Sequence, residues 1–524
     1  MKIKIPILEL YICFIIWISA NLYALFVLVK SQRELLEADE YSLQSLNDLE
    51  PGWKLLSRFK DVSDIEWSSW KFYIRISWFY ILLQFLISEL IRRYVPNLLK
   101  QWYILSSLTF VCMCLGYKQM IIILTQPVIY ATIISLGGKK ITIWLISIFL
   151  LLSYNSLKYK YFFWSFLEHK DMQDEEVYLI LFSMAWIELR CISYSIDFID
   201  NKENDRMSIQ DVLNFLSYVL YLPLLYMGPI ILYEEFDKSY KIQNKSIGLR
   251  LLRFIPDALL FLLYTIFLDC LFHFFYFYAM QNNMELVRKL PTIALCGGGL
   301  WMGLEFHLKY VISYGTSAAF ARLDNIEAPP TPRCIARIHV YSQMWRHFDV
   351  GLYRFLVKYI YKPSYSVMSE HLKLPKIIYK LSASLGTFIF IFMWHGMVWH
   401  IFMWSLFNYI GITMEHFGKL ISKRDTYIWF KKNILKTEAM ETRLIAALCT
   451  PLLALSAISN FYLFAGSEVG NLFLDYFSQT PTFVNCIILC SSLYSCCQVS
   501  IALEDVPSRT FLQNSEGDSD QKHL

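Results

Sequence analysis

Apolar runs long enough to cross a bilayer recur from one end of the chain to the other, and no other feature limits its fold so severely. A bilayer core about 30 Å thick takes roughly 20 apolar residues per helical span. The clearest runs are Leu8 to Val29, Phe72 to Ile91, Trp102 to Leu124, Val177 to Ile196, Ala258 to Met280, Leu381 to Phe407, Leu444 to Phe464 and Cys486 to Leu503. Weaker runs around 119–136, 141–153, 212–233 and 291–313 carry Gly, Pro or polar interruptions and predict tilted, broken or re-entrant helices. With 56% hydrophobic residues over 524 positions, the chain has more apolar surface than a soluble core can bury, and the surplus must face lipid. The expectation is an all-α polytopic membrane protein of roughly ten spans plus re-entrant and amphipathic helices. Residues 1–504 read as a single membrane domain without internal repeats, and 505–524 as a disordered polar tail.

Loop charges predict the orientation. Lys2 and Lys4 flank the first run, read as a retained signal anchor, and the loop over 30–70 holds five Lys or Arg against nine Asp or Glu. By the positive-inside rule the N-terminus is cytosolic and that loop luminal. Arg92, Arg93 and Lys100 return the next loop to the cytosol, and Lys419 to Arg443 is cytosolic too. The net charge of +4 follows from these loops, and no nucleic-acid motif accompanies it. The Asn244-Lys245-Ser246 sequon lies in basic surroundings and is expected to stay unmodified. Most of the 12 cysteines fall inside apolar runs as small hydrophobes, with no paired spacing that closes a zinc site. Cys334 differs, because it ends the Pro-rich segment APPTPRC.

Polar groups at membrane depth cost a few kcal/mol, so each one is a functional candidate. His395 lies in FIFIFMWHGMVWHIFMW, with Gly396 beside it to admit another group; a structural histidine bonded to a neighbouring helix is the alternative. His400, about 140° further round a continuous helix, is read as structural or interfacial. In MWRHFDVGLYRFLVKYIYKP, Trp345 and Asp349 share a helical face, while Arg346, Arg354, Lys358 and Lys362 mark a basic amphipathic helix, with its Pro-rich entry covering 330–362. YLPLLYMGPIILY predicts a Pro-kinked span, and Arg190 in WIELRCISYSID a snorkelling side chain.

Together these segments resemble the membrane-bound O-acyltransferase (MBOAT) superfamily, in particular its hedgehog acyltransferase branch. The likeness is carried by GWKLLSRFKDVSDIEW, WIELRCISYSID, YLPLLYMGPIILY, PRCIARIHVYSQMWRHFDVGLYRF, FMWHGMVWH, FNYIGITMEH and SNFYLFAGSEVG. The block from PRCIARIH to FDVGLY is the most specific. The resemblance implies that His395 and Asp349 are catalytic, that Trp345 and Asn460 line the reaction chamber, and that Cys334 ligates a haem b iron. An inactive paralogue of this branch lacks the histidine that this sequence keeps.

The implied reaction moves palmitate from palmitoyl-CoA to the α-amino group of an N-terminal cysteine on a secreted Hedgehog-like protein, in the endoplasmic reticulum or Golgi membrane. Membrane lipid and acyl-CoA are then the small-molecule partners. The basic residues near Asp349, Arg346 among them, are expected to contact the CoA phosphates. The alternatives are an MBOAT enzyme acting on a hydroxyl of a lipid or a protein serine, a non-catalytic acyl-binding pseudoenzyme, and a transporter.

Overall fold

Most of the apolar runs are helical, and some of the helices continue through an internal proline, as at Pro127, Pro256 and Pro451. A computed structural model describes residues 5–38, 48–160, 173–201, 206–241, 246–479 and 483–504. The tail after 504, Lys2, Lys4, residues 39–47 of the expected luminal loop, and Asn244 and Lys245 of the sequon lie outside the described residues. The main helices are α1 (Ile7–Ala38), α2 (Ile65–Tyr94), α3 (Leu99–Phe110), α4 (Tyr117–Ser135), α5 (Lys140–Lys160), α6 (Asp174–Asn201), α7 (Ile209–Val219) and α8 (Tyr233–Lys241). They continue as α9 (Ile247–Leu271), α10 (Thr292–Leu323), α11 (Tyr341–His347), α12 (Val350–Leu356), α13 (Lys376–His395), α14 (Trp399–Ile421), α15 (Glu438–Gln479) and α16 (Phe483–Leu503). Among the described residues, nine helical segments are long and apolar enough to cross a bilayer.

Four runs resolve differently from expectation. Trp102 to Leu124 is two helices, because α3 widens into a π turn over Val111–Leu115 and Gly116 turns the chain before α4. Ala258 to Met280 leaves the long helix after Leu271 and resumes as a short separate helix at Phe277–Gln281. Leu381 to Phe407 breaks at Gly396 into α13 and α14. The 212–233 run is no kinked span: after α7 the chain makes one 3-10 turn at Leu222–Leu224 and continues irregularly to α8, buried throughout.

Irregular backbone in that position is tolerable only if protein satisfies its polar groups. Arg190, expected to snorkel, is fully buried and donates to the carbonyls of Val219 and Leu224. The Tyr218 hydroxyl donates to the Ile231 carbonyl at 2.7 Å, Tyr73 to that of Leu222 at 3.2 Å, and Tyr221 to the Asp324 carboxylate at 2.8 Å. Gly351 lies against this segment so closely that a Cβ there would stand 2.0 Å from the Ile230 carbonyl oxygen, so GPIILY and FDVGLY require each other.

A hairpin of β1 (Leu49–Pro51) and β2 (Phe59–Asp61) precedes α2. It docks through the Trp53 amide, which donates to His273 Nε2 at 2.9 Å, and through Asp61, which accepts from the Ala279 amide at 2.9 Å. Beside it, the Lys309 ammonium of α10 meets Asp64 at 2.6 Å, Glu66 at 2.9 Å and Glu305 at 3.5 Å. At the far end of α2, Arg92 meets Asp324, just past α10, at 2.7 Å. α10 is thereby anchored at two levels, and one face of it looks into a cavity.

Candidate active site

The cavity measures about 1480 Å³, larger than the roughly 300–1,000 Å³ of ordinary small-molecule pockets. Gly303, His307, Tyr310 and Tyr314 line it from one stripe of α10, and helices α1, α5, α6, α15 and α16 supply much of the remaining wall. The wall runs from Glu66, beside the hairpin, to Asp349 and Cys334. Five of the six site residues expected from sequence line this one space: His395, Asp349, Trp345, Asn460 and Cys334. Arg346 does not; it is exposed and outside the cavity wall.

His395 is the last residue of α13. The next residue, Gly396, has φ 117° and ψ 128°, a backbone state that side-chain-bearing residues rarely adopt, so the helix ends here. The Val398 amide closes a tight turn onto the Gly396 carbonyl at 2.8 Å, and α14 starts at Trp399. His400 therefore sits in a new helix, and the angular argument that separated it from His395 does not apply. The His395 ring stands nearly edge-on to Trp394 and Trp404, with centroids 4.7 and 4.9 Å away. It is exposed to the cavity, and no described residue hydrogen-bonds its nitrogens.

Asp349 belongs to none of the nine spans. The expected continuous amphipathic helix is broken here, because α11 ends at His347 and Asp349 caps α12. Its Oδ1 accepts from the Leu352 amide at 2.9 Å and its Oδ2 from the Tyr314 hydroxyl at 2.8 Å. Burial pushes this carboxyl above the ordinary carboxylate range, against the pull of those two donors. No hydrogen bond joins Asp349 to His395. The basic residues that follow are engaged: Arg354 meets Glu235 at 2.8 Å, and Lys358 meets Asp197 and Glu234, each at 2.9 Å.

Trp345 donates from Nε1 to Asn408 at 2.9 Å, and Trp404 to Asn460 at 3.2 Å. The two indoles lie 5.6 Å apart, and that of Trp404 backs the His395 ring. Sequence reasoning missed Tyr314, Asn408 and Asn155. Asn155 of α5 donates to the Met393 carbonyl at 3.1 Å and accepts from the Met397 amide at 2.8 Å, one bond on each side of His395 and Gly396.

Cys334 is exposed on the cavity wall beside Ile335 and Ile338, so a thiol there can reach a ligand in the cavity. Among the described residues no three His, Cys, Asp or Glu converge to hold a metal ion.

The model of the membrane-bound O-acyltransferase family matches residues 128–449, which contain the His395 break and the Asp349 cap. The chain belongs to the membrane-bound O-acyltransferase family. Within that family it is 30% identical over 468 residues to the protein-cysteine N-palmitoyltransferase Rasp of Drosophila melanogaster, covering 88% of this chain and 89% of that one. It is 26% identical to the mouse protein-cysteine N-palmitoyltransferase HHAT, over 78% of this chain and 81% of that one. The mouse HHAT-like protein is also 26% identical, over 86% and 85% of the two chains. As an MBOAT protein, the chain has its cavity, histidine and capped aspartate inside or against the matched region.

Proposed function

We propose that this chain is a protein-cysteine N-palmitoyltransferase that moves palmitate from palmitoyl-CoA to the α-amino group of an N-terminal cysteine on a secreted Hedgehog-type protein. One observation carries the reading: a histidine with unbonded nitrogens faces a large cavity at a helix break, in a chain related along most of its length to two such transferases. Residues 1–504 act as one membrane unit in the endoplasmic reticulum or Golgi. The N-terminus is cytosolic, and the hairpin side of the cavity, which admits the acceptor, is luminal.

A free α-amine has a pKa near 7.7–8.0, so a minority is unprotonated at neutral pH and attack on a thioester requires only a placed base. The N–C bond forms at the thioester carbon, His395 takes a proton from the attacking nitrogen, and the C–S bond breaks to release CoA. Asp349, held by Tyr314 and Leu352, fixes the chamber floor and places negative charge near the cationic nitrogen. Trp345 and Asn460 shape the chamber around the thioester. Arg346, exposed outside the chamber, is left for the CoA phosphates, whereas Arg354 and Lys358 are already paired. Haem, which the resemblance implies, would be held by Cys334 against Ile335 and Ile338 and would supply redox-active iron; no acyl-transfer step needs it. A Soret band in the purified protein, lost in Cys334→Ala, tests that assignment.

Purified protein incubated with palmitoyl-CoA and a peptide beginning with cysteine tests the function. Hydroxylamine-resistant palmitate on the peptide is expected, because an amide survives where a thioester does not. Transfer to hydroxyl acceptors alone would contradict the reading.

A further inference from the structure

The chain break that presents His395 is not stabilised by its own backbone. α13 ends on carbonyls without helical partners, and the loop after Gly396 carries amide hydrogens that no helix uses. Asn155, a residue of α5 far away in sequence, meets one of each. Its Nδ2 donates to the Met393 carbonyl at 3.1 Å and to the Leu151 carbonyl of its own helix at 2.8 Å, while its Oδ1 accepts from the Met397 amide at 2.8 Å. All these bonds fix the amide's orientation: turned over, it would set oxygen against two carbonyls and an NH2 against an N–H. The Leu151 bond also locks the side chain on α5, so α5 is the reference against which the break is held. Asn155, Met393, His395 and Gly396 all lie on the cavity wall.

We propose that Asn155 is a positioning residue for acyl transfer, its carboxamide gripping the chain on both sides of His395 so that the imidazole faces the chamber. Without it, Met393 and Met397 lose their tie to α5; the Gly396–Val398 turn and the bond from Trp394 Nε1 to the Ala185 carbonyl at 3.0 Å remain, but the chain just after His395 loses the side-chain bond that fixes it against α5. A displacement of about 1 Å in a catalytic group can cost on the order of 100-fold in rate. The inference rests on the reading of His395 as the base.

The test uses the full chain in detergent with palmitoyl-CoA and the N-terminal-cysteine peptide, comparing wild type, His395→Ala, Asn155→Leu and Asn155→Asp. Asn155→Leu, close in size but without either bond, should lower kcat on the order of 10- to 100-fold with KM for both substrates and the melting temperature unchanged. Asn155→Asp keeps the acceptor and loses the donor, so its deficit relative to wild type should shrink as pH falls and the protonated acid regains an O–H for the Met393 carbonyl. Wild-type kcat in Asn155→Leu, a joint loss of kcat, KM and melting temperature, or a pH-independent deficit in Asn155→Asp would each overturn the proposal. An active His395→Ala would instead sink the parent reading, while an inactive His395→Ala beside a fully active Asn155→Leu would sink this inference alone.

Discussion

Two polar groups, Lys309 behind the cavity-lining Glu66 and His395 in the cavity wall, are treated in opposite ways. The Lys309 ammonium is surrounded by Asp64, Glu66 and Glu305, and Tyr278 and Tyr310 donate to the outer oxygens of the glutamates. His395 has rings of Trp394 and Trp404 at its sides and no hydrogen bond to its nitrogens from any described residue. A buried charge is costly unless paired, whereas a neutral imidazole facing a cavity can leave its nitrogens for a substrate. On the proposed reading the paired group belongs to the scaffold and the unpaired one to the chemistry.

The largest effect that sharpens this contrast is on stability. Lys309→Met removes the cation from among three carboxylates and should destabilise the protein by about 3–5 kcal/mol, read as a lower melting temperature in detergent. A stable, active Lys309→Met variant would break the contrast from the scaffold side.

Next is a pH effect outside the spans. Asp61, at the end of the hairpin, is buried, and that burial pushes its carboxyl up to about 6 from 3.8 despite its bonds to Ser63 and the Ala279 amide. The folded state therefore holds this proton more tightly than the unfolded chain does. Its contribution is complete below about pH 4 and is lost as pH rises through about 6, at most about 3 kcal/mol. Denaturation followed between these values should show stability falling with pH, and Asp61→Asn should flatten that dependence.

A smaller effect concerns the apolar wall. Each buried methylene is worth about 0.8 kcal/mol, so myristoyl-CoA should fall below palmitoyl-CoA in kcat/KM by roughly 15-fold. Equal rates would mean that the end of the acyl chain is not enclosed. Smallest is Trp345→Phe, which keeps an aromatic ring in the chamber wall but removes the indole N–H that bonds Asn408 at 2.9 Å. The lost bond should cost about 1 kcal/mol of stability, read as a slightly lower melting temperature.

What the sequence reveals follows from the range of the physics involved. Apolar length is a local property, so α1, α6, α13, α15 and α16 were legible, as was the cost of a histidine within such a run. The break at Gly396 was not, because a lone glycine inside an apolar run suits either a continuous helix or an end; Asn155, distant in sequence, helps hold it open. Arg190 looked like a snorkelling side chain because its acceptors, Val219 and Leu224, are contributed by a segment that itself looked helical. The cap at Asp349 was hidden by spacing that fits one continuous helix equally well. The charge of Arg346 and its place beside Asp349 suggest a phosphate contact, but they do not say that its side chain lies outside the cavity wall.

The most direct measurement is single-turnover transfer from palmitoyl-CoA to an N-terminal-cysteine peptide by His395→Ala beside wild type, with melting temperatures recorded for both. A variant that melts like wild type and transfers about 10²- to 10⁴-fold more slowly is predicted, the usual contribution of a placed acid–base group. A folded variant transferring at the wild-type rate, or one that no longer folds, would contradict the account, because His395 would then be either idle or part of the scaffold.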